Sequence, residues 1–262
     1  MWKNDIFRGC FYAFTGFLLF SLGDAGAKYL SASLTVPYIL FWTQIFALLA
    51  LLTVGAISHK SLKIMIRTDK PGLHIIRGIL LGSQVFLTFT AFSLLPLAQA
   101  YTFIFTSPLF ATLISSIWLK ERTSPQGWFV LLIGFSGILV ILRPGFNAIE
   151  MGHIAALSAG LIFALGYIIG RRIGSEPSPY TFAFYPIISC IVLVTFYLGL
   201  TDGSFAPPAP SQTGMTIFMG IASVGGILLL SWAYNIAPVP AVSSFHYTQI
   251  LWGALLGYIF FG

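Results

Sequence analysis

Residues 91 to 120 of this chain, AFSLLPLAQAYTFIFTSPLFATLISSIWLK, return in weakened form as residues 233 to 262, AYNIAPVPAVSSFHYTQILWGALLGYIFFG. Ala91, Pro96, Phe103, Thr106, Leu109, Leu113 and Ile117 are matched at one constant offset. Two apolar segments resemble each other through composition alone, so the weight rests on what lies upstream. There Pro37-Tyr38 recurs as Pro179-Tyr180, and Gly9, Ala13, Leu18, Phe20, Leu22 and Gly23 recur as Gly152, Ala156, Leu161, Phe163, Leu165 and Gly166. One residue fewer in the loop before Pro179 absorbs the small change of offset. A fixed internal period means one structural unit used twice, so the fold must be one that two copies of a single unit can build.

The solvent of that unit follows from its composition. With 57% hydrophobic, 16% aromatic and only 8% charged residues, and a mean hydropathy of +0.91, polar surface is too scarce to cover a water-soluble globule. Apolar runs of roughly 18 to 24 residues, enough to cross a hydrocarbon layer about 30 Å thick as helix, follow one another along the chain. Nine are expected, near residues 8 to 30, 35 to 57, 74 to 94, 97 to 119, 127 to 143, 151 to 173, 179 to 200, 213 to 236 and 239 to 261. The short segments of alternating polarity that build a transmembrane barrel are missing from the sequence. The expected fold is therefore all-α and membrane-integral: nine transmembrane helices in two repeats, residues 1–146 with five helices and 147–262 with four.

A formal charge of +6 could suggest nucleic acid, but the placement of the basic residues points to a membrane instead. Lys3 and Arg8 precede the first span, Lys60, Lys63, Arg67 and Lys70 follow the second, Lys120 and Arg122 the fourth, and Arg171 and Arg172 the sixth. All of these share one side, while the other side carries little beyond Lys28 and Arg143, so the positive-inside rule puts the N-terminus in the cytoplasm. The first apolar run is too long for the core of a secretory signal, and it has a counterpart in the second repeat. Cys10 and Cys190 fall inside spans and read as small apolar fillers rather than a disulfide. Asp202 to Gly214, rich in proline, reads as a solvated outer connector.

Five crossings in the first copy force the second to enter the membrane from the opposite side. Inverted repeats are a recurring plan of secondary transporters, because each half can present one site to a different compartment. An ionisable group within a span marks a candidate site. Asp24 and Lys28 stand one turn apart and can pair, either as a structural ion pair near the outer interface or as a gating or proton-coupling element. Arg77 reads as an inner-interface anchor. The ninth span carries the richest polar face, Ser243, His246, Tyr247 and Gln249, with Trp252 beyond; Tyr101, Phe105 and Pro108 are the repeat counterparts of Ser243, Tyr247 and Ile250. Gln84, Tyr234 and Asn235 are weaker additions. The alternative to a cavity lining is interhelical hydrogen bonding that only holds the bundle.

Gly9, Gly16 and Gly23, and the pairs Gly166/Gly170 and Gly253/Gly257, read as close helix packing. Gly134-Phe135-Ser136-Gly137 matches the serine motif of intramembrane proteases, yet His246 lacks the surroundings expected of a catalytic partner. Phosphate loops, HExxH and Cys/His ligand clusters are absent from the sequence, so no cofactor or metal is expected.

The run LLPLAQAYTFIFTSPLFATLISSIWLKERTSPQGWFVLLIGFSGILVI resembles the EamA unit of the drug/metabolite transporter superfamily. It has a small-residue and proline turn, a helix with a central Pro108, the loop Leu119 to Arg122 and a glycine-bearing fifth helix. Asp24-x-x-x-Lys28-Tyr29-Leu30 resembles the branch that moves amino acids and their derivatives. The resemblance departs at Gln44, where members commonly carry arginine, and at Gly262, which aligns with Lys120 before a tenth helix would follow, so the chain is expected to be C-terminally truncated. It implies a secondary transporter, not an enzyme, that moves a small amphipathic metabolite across a bacterial cytoplasmic membrane by alternating access. The expected partners are a small-molecule substrate and the lipid bilayer, without nucleic acid, and a homodimer is a possible assembly. Substrate is expected at mid-membrane between spans four and nine, touching Tyr101, Phe105, His246, Tyr247 and Gln249. The competing reading is a channel, which would need a continuous polar stripe, or a non-transporting membrane scaffold.

Overall fold

The computed structural model describes residues 2–58, 61–118, 149–174, 179–237 and 245–261, together with Phe129, Ile133, Ser136 and Val242. Every regular element among these residues is helical: α1 (Trp2–Ser31), α2 (Val36–Ile57), α3 (Leu62–Ile66), α4 (Pro71–Leu94), α5 (Leu97–Ile104), α6 (Ser107–Trp118), α7 (Met151–Ile173), α8 (Pro179–Leu200), α9 (Pro210–Ile236), a 3₁₀ turn at Phe245–Tyr247 and α10 (Thr248–Phe261).

Prolines set many of the boundaries. Pro37, Pro71 and Pro210 sit in the first turns of α2, α4 and α9, where a missing N–H leaves nothing unpaired that was not unpaired already. They also set stops. Leu95 precedes Pro96 and is held extended at φ −122°, ψ 157°, which ends α4. Ala237 precedes Pro238 and takes φ −131°, ψ 153°, which ends α9 at the matched position of the second repeat. Both follow from the clash of a proline ring with a helical residue before it. Gly174, at φ 77°, closes α7 in a conformation that a Cβ would strain.

Seven helices among the described residues are long and apolar enough to cross a membrane, one of them being α5 and α6 counted together over Leu97–Trp118. This differs from the expected nine for two reasons. Of the fifth expected span only Phe129, Ile133 and Ser136 are described, so the span cannot be counted, and the rest of the serine motif, Gly134, Phe135 and Gly137, lies outside the described residues. Of the ninth, residues 239–241, 243 and 244 lie outside the described residues, and the described stretch Phe245–Phe261, a 3₁₀ turn followed by the 14-residue α10, is short of a full crossing by itself.

The helices pack in pairs that repeat. α1 lies along α9 and α7 along α4; α8 packs against α2 and α4, and α2 against α9; α6 and α5 pack on α7 as α10 and the 3₁₀ turn pack on α1; and α10 meets α5. Close approaches repeat too. Gly9 abuts Ala237 while Gly152 abuts Leu95, and Gly78 abuts Ser189 while Gly220 abuts Ala47. Each pair holds residues at matched positions of the two halves, and in each a larger residue than glycine would push helices apart. Gly166 is likewise covered by Leu81, whereas Gly23 and Gly257 face open space, so the glycine pattern marks packing only in part. Cys10 and Cys190 are free thiols, and Cys190 is buried beside the Gly82 carbonyl.

Candidate functional site

The middle of the bundle is shaped by a break in one helix. Pro108 has no N–H to give the carbonyl of Ile104, and its ring would clash with that carbonyl in a continuous helix. α5 stops at Ile104 and α6 begins at Ser107. The freed backbone still needs partners inside a membrane. Phe103 O accepts from Thr106 N at 3.1 Å and from Thr106 Oγ1 at 2.8 Å. Gly160 of α7 comes so close that a Cβ there would stand 2.9 Å from Ile104 O. The second repeat does the same thing at the matched place: Thr248 Oγ1 donates to Phe245 O at 2.6 Å, where the 3₁₀ turn gives way to α10. Position 250 is isoleucine, so the irregularity there is a tightened turn.

These two irregular turns hold the rings that face each other. His246 is stacked on Phe17 of α1, with ring centroids 4.9 Å apart and planes 23° apart. Phe105 meets the imidazole edge-on at 4.6 Å, and Phe163 of α7 lies 5.9 Å away. Gln249 follows one turn along and is only 6% exposed. Phe105 also lies 6.1 Å from the Tyr247 ring and 5.9 Å from that of Tyr101. Of the five residues expected from the sequence, Tyr101, Phe105, His246, Tyr247 and Gln249, the four rings therefore form one connected cluster. They differ in access: Tyr101 is 3% exposed and Tyr247 is 54% exposed.

Asp24 and Lys28 do not pair, contrary to the expectation drawn from their spacing. Among the described residues no ion pair joins them. Asp24 accepts the Tyr101 hydroxyl at 2.6 Å, while the Lys28 ammonium donates to the carbonyl oxygens of Phe92 at 2.9 Å and Leu95 at 2.8 Å. The helix end is the better partner because it offers two acceptors that have no intrahelical donor, together with the negative end of the helix dipole. Arg77 donates to Phe182 O at 3.2 Å and sits over the Phe182 ring, an anchoring contact. Gln84 donates to Thr88 along its own helix. Ser243 and the side chains of Tyr234 and Asn235 lie outside the described residues.

Phe17 and Phe163 belong to the cluster and were not singled out from the sequence. A signal existed. Phe17, Ser21, Asp24 and Lys28 recur at alternating three- and four-residue steps, one face of α1, so the face that carries the charged pair also carries the aromatic wall.

A membrane-embedded helical bundle with matched broken turns around an aromatic site belongs to the class of multi-pass transport proteins. The chain matches the profile of the EamA-like transporter family over residues 7–143 and again over 150–262, and it is a member of that family. It is similar to a riboflavin transporter of Vibrio cholerae, 25% identical with 99% of this chain and 87% of the relative covered. It is also similar to an S-adenosylmethionine uptake transporter of Rickettsia bellii, 24% identical with 92% and 81% covered. A solved crystal structure superposes with a TM-score of 0.68 at 18% identity, covering 96% of this chain and 87% of that one, which supports the fold alone. The protein is a small-molecule transporter of the drug/metabolite type, not an enzyme.

Proposed function

We propose that the protein carries a small amphipathic metabolite bearing a planar nitrogen heteroaromatic ring, and that this ring is received by the Phe17, Phe105 and Phe163 cluster. The observation that carries the reading is the Phe17–His246 stack at 4.9 Å and 23°, closed edge-on by Phe105. A planar heteroaromatic ring already sits between these walls, supplied by the protein itself. Offset stacking and edge-to-face contact are the geometries aromatic rings favour, worth about 0.5–1.5 kcal/mol per pair beyond burial. Riboflavin and S-adenosylmethionine, named for the two relatives, share such a ring and little else. S-adenosylmethionine is also an amino-acid derivative, the class expected from the resemblance at Asp24 and Lys28.

Tyr101, Phe105, His246, Tyr247 and Gln249 then line the substrate's place at mid-membrane, Gln249 and Tyr247 offering its polar part hydrogen bonds. Asp24 and Lys28 serve in gating or coupling. The repeats, 1–146 and 147–262, work as inverted halves of a nine-helix bundle in alternating access. Supporting this are the paired close approaches Gly9–Ala237 with Gly152–Leu95 and Gly78–Ser189 with Gly220–Ala47, and the matched threonine bonds at Thr106 and Thr248. The membrane is a bacterial cytoplasmic membrane with the N-terminus inside, as the basic loops favour.

Ligand-induced thermal stabilisation of the purified protein tests the substrate class. Ring-bearing metabolites are expected to raise the unfolding temperature, and alanine at Tyr247 or Gln249 to weaken that response. If both variants insert normally and bind as the parent does, the site lies elsewhere, first at Asp24 and Lys28.

A further inference from the structure

Lys28 is a charged residue of α1 whose ammonium bonds outside its own helix. Its ammonium donates to Phe92 O at 2.9 Å and Leu95 O at 2.8 Å, and it stands 5.8 Å from the centroid of the Phe261 ring. Three elements, α1, α4 and α10, thus converge on one cation. One turn back on α1, Asp24 holds the hydroxyl of Tyr101 and adds α5. All of these contacts lie at the same end of the bundle, the end of Ser31 and Leu94, where α1 packs on α4. The halves are not equal in this respect. The matched elements at the opposite end, α7 and α9, make no comparable packing among the described residues.

We propose that Lys28 is the latch that keeps this end of the transport pathway shut, and that the structure is the state accessible from the opposite side. This rests on the alternating-access reading above. Parting α1 from α4 strips two charge-assisted hydrogen bonds from the ammonium, and such bonds are about twice as strong as neutral ones. It also leaves the last carbonyls of α4 without their donor. Water entering the opened vestibule supplies both sides with new partners, so the latch is strong when dry and releasable when wet. A residue that merely caps a helix would stabilise both states alike; a latch bridging two moving helices favours one.

The test is accessibility. In a protein without Cys10 and Cys190, a single cysteine replacing His246 is exposed to a membrane-impermeant thiol reagent applied to one face of the membrane or the other. With Lys28 intact, labelling is expected from the face opposite the latch. Lys28→Met is expected to raise labelling from the latch face about tenfold or more, the shift that losing one charge-assisted bond gives a two-state equilibrium. Lys28→Arg keeps a cation and its donors and should stay near the parent rate. Lys28→Gln repeats the measurement should the methionine variant fail to reach the membrane. An unchanged latch-face rate in the neutral variants, equal labelling from both faces with Lys28 intact, or a rise from both faces alike would overturn the latch. Substrate uptake is not read, so a wrong substrate class leaves this result standing.

Discussion

Gly253 of α10 lies so close over the ring of Tyr101 on α5 that a Cβ there would overlap Cδ2 and Cε2. The ring has little freedom to yield, since Asp24 holds its hydroxyl at 2.6 Å and Phe92 meets it edge-on at 5.3 Å. A single glycine therefore lets α1, α5 and α10 close on one another. Gly253→Ala is expected to destabilise the protein by about 1–3 kcal/mol, the usual cost of overpacking. Tyr101→Leu should recover part of that loss in the double variant, because the smaller side chain relieves the overlap. Thermal unfolding of the parent, the two single variants and the double variant checks it; strict additivity would contradict the contact.

Thr106 and Thr248 hold the two broken turns in the same way, through bonds of 2.8 Å to Phe103 O and 2.6 Å to Phe245 O. Replacing either by valine keeps the shape and removes the hydroxyl. Each change is expected to lower stability by about 1 kcal/mol, and similarly, because the two sites play matched roles. A large loss at one and none at the other, read by thermal unfolding, would argue against the matched-turn account.

Much of this was legible in the residues, and for a physical reason. Prolines act locally, so the expected ends of the third and eighth spans, 94 and 236, fall beside Pro96 and Pro238, whereas the break before Pro108 was not expected, since the fourth span reads as one apolar run over 97 to 119. The repeat brings Phe105 and Tyr247 to one place without knowledge of packing. The partner of Lys28 was not legible. Helical spacing offers Asp24 four residues away, whereas the acceptors chosen, the Phe92 and Leu95 carbonyls, become available only because Pro96 ends α4 beside it. Phe17 was hidden for a related reason. In a chain this rich in phenylalanine, one more ring on a helix carries no signal until the neighbour it faces is known, and His246 is more than two hundred residues away.

The segment from Ser58 to Lys70, which holds α3, is expected on the cytoplasmic side and that from Asp202 to Gly214, whose last residues open α9, outside. The second is folded back on α2, where Ala206 O accepts from Tyr38 and from the Trp42 indole. Single cysteines at Ser61 and Ser204 distinguish the sides: an impermeant thiol reagent added to intact cells should label only Ser204→Cys. Labelling at Ser61→Cys would reverse the orientation.

Transport of matched molecules with and without the ring is the most direct measurement of the central claim. Proteoliposomes holding the purified protein are supplied with labelled riboflavin and S-adenosylmethionine, and in parallel with ribitol and methionine, the parts of those molecules that lack the heteroaromatic ring. The account predicts uptake of at least one ring-bearing compound, no competition from ribitol or methionine, and an affinity reduced roughly two- to tenfold by Phe105→Ala or Phe17→Ala, the worth of one ring contact. Uptake of methionine or ribitol in place of the ring-bearing molecules, with both phenylalanine variants unchanged, would contradict it.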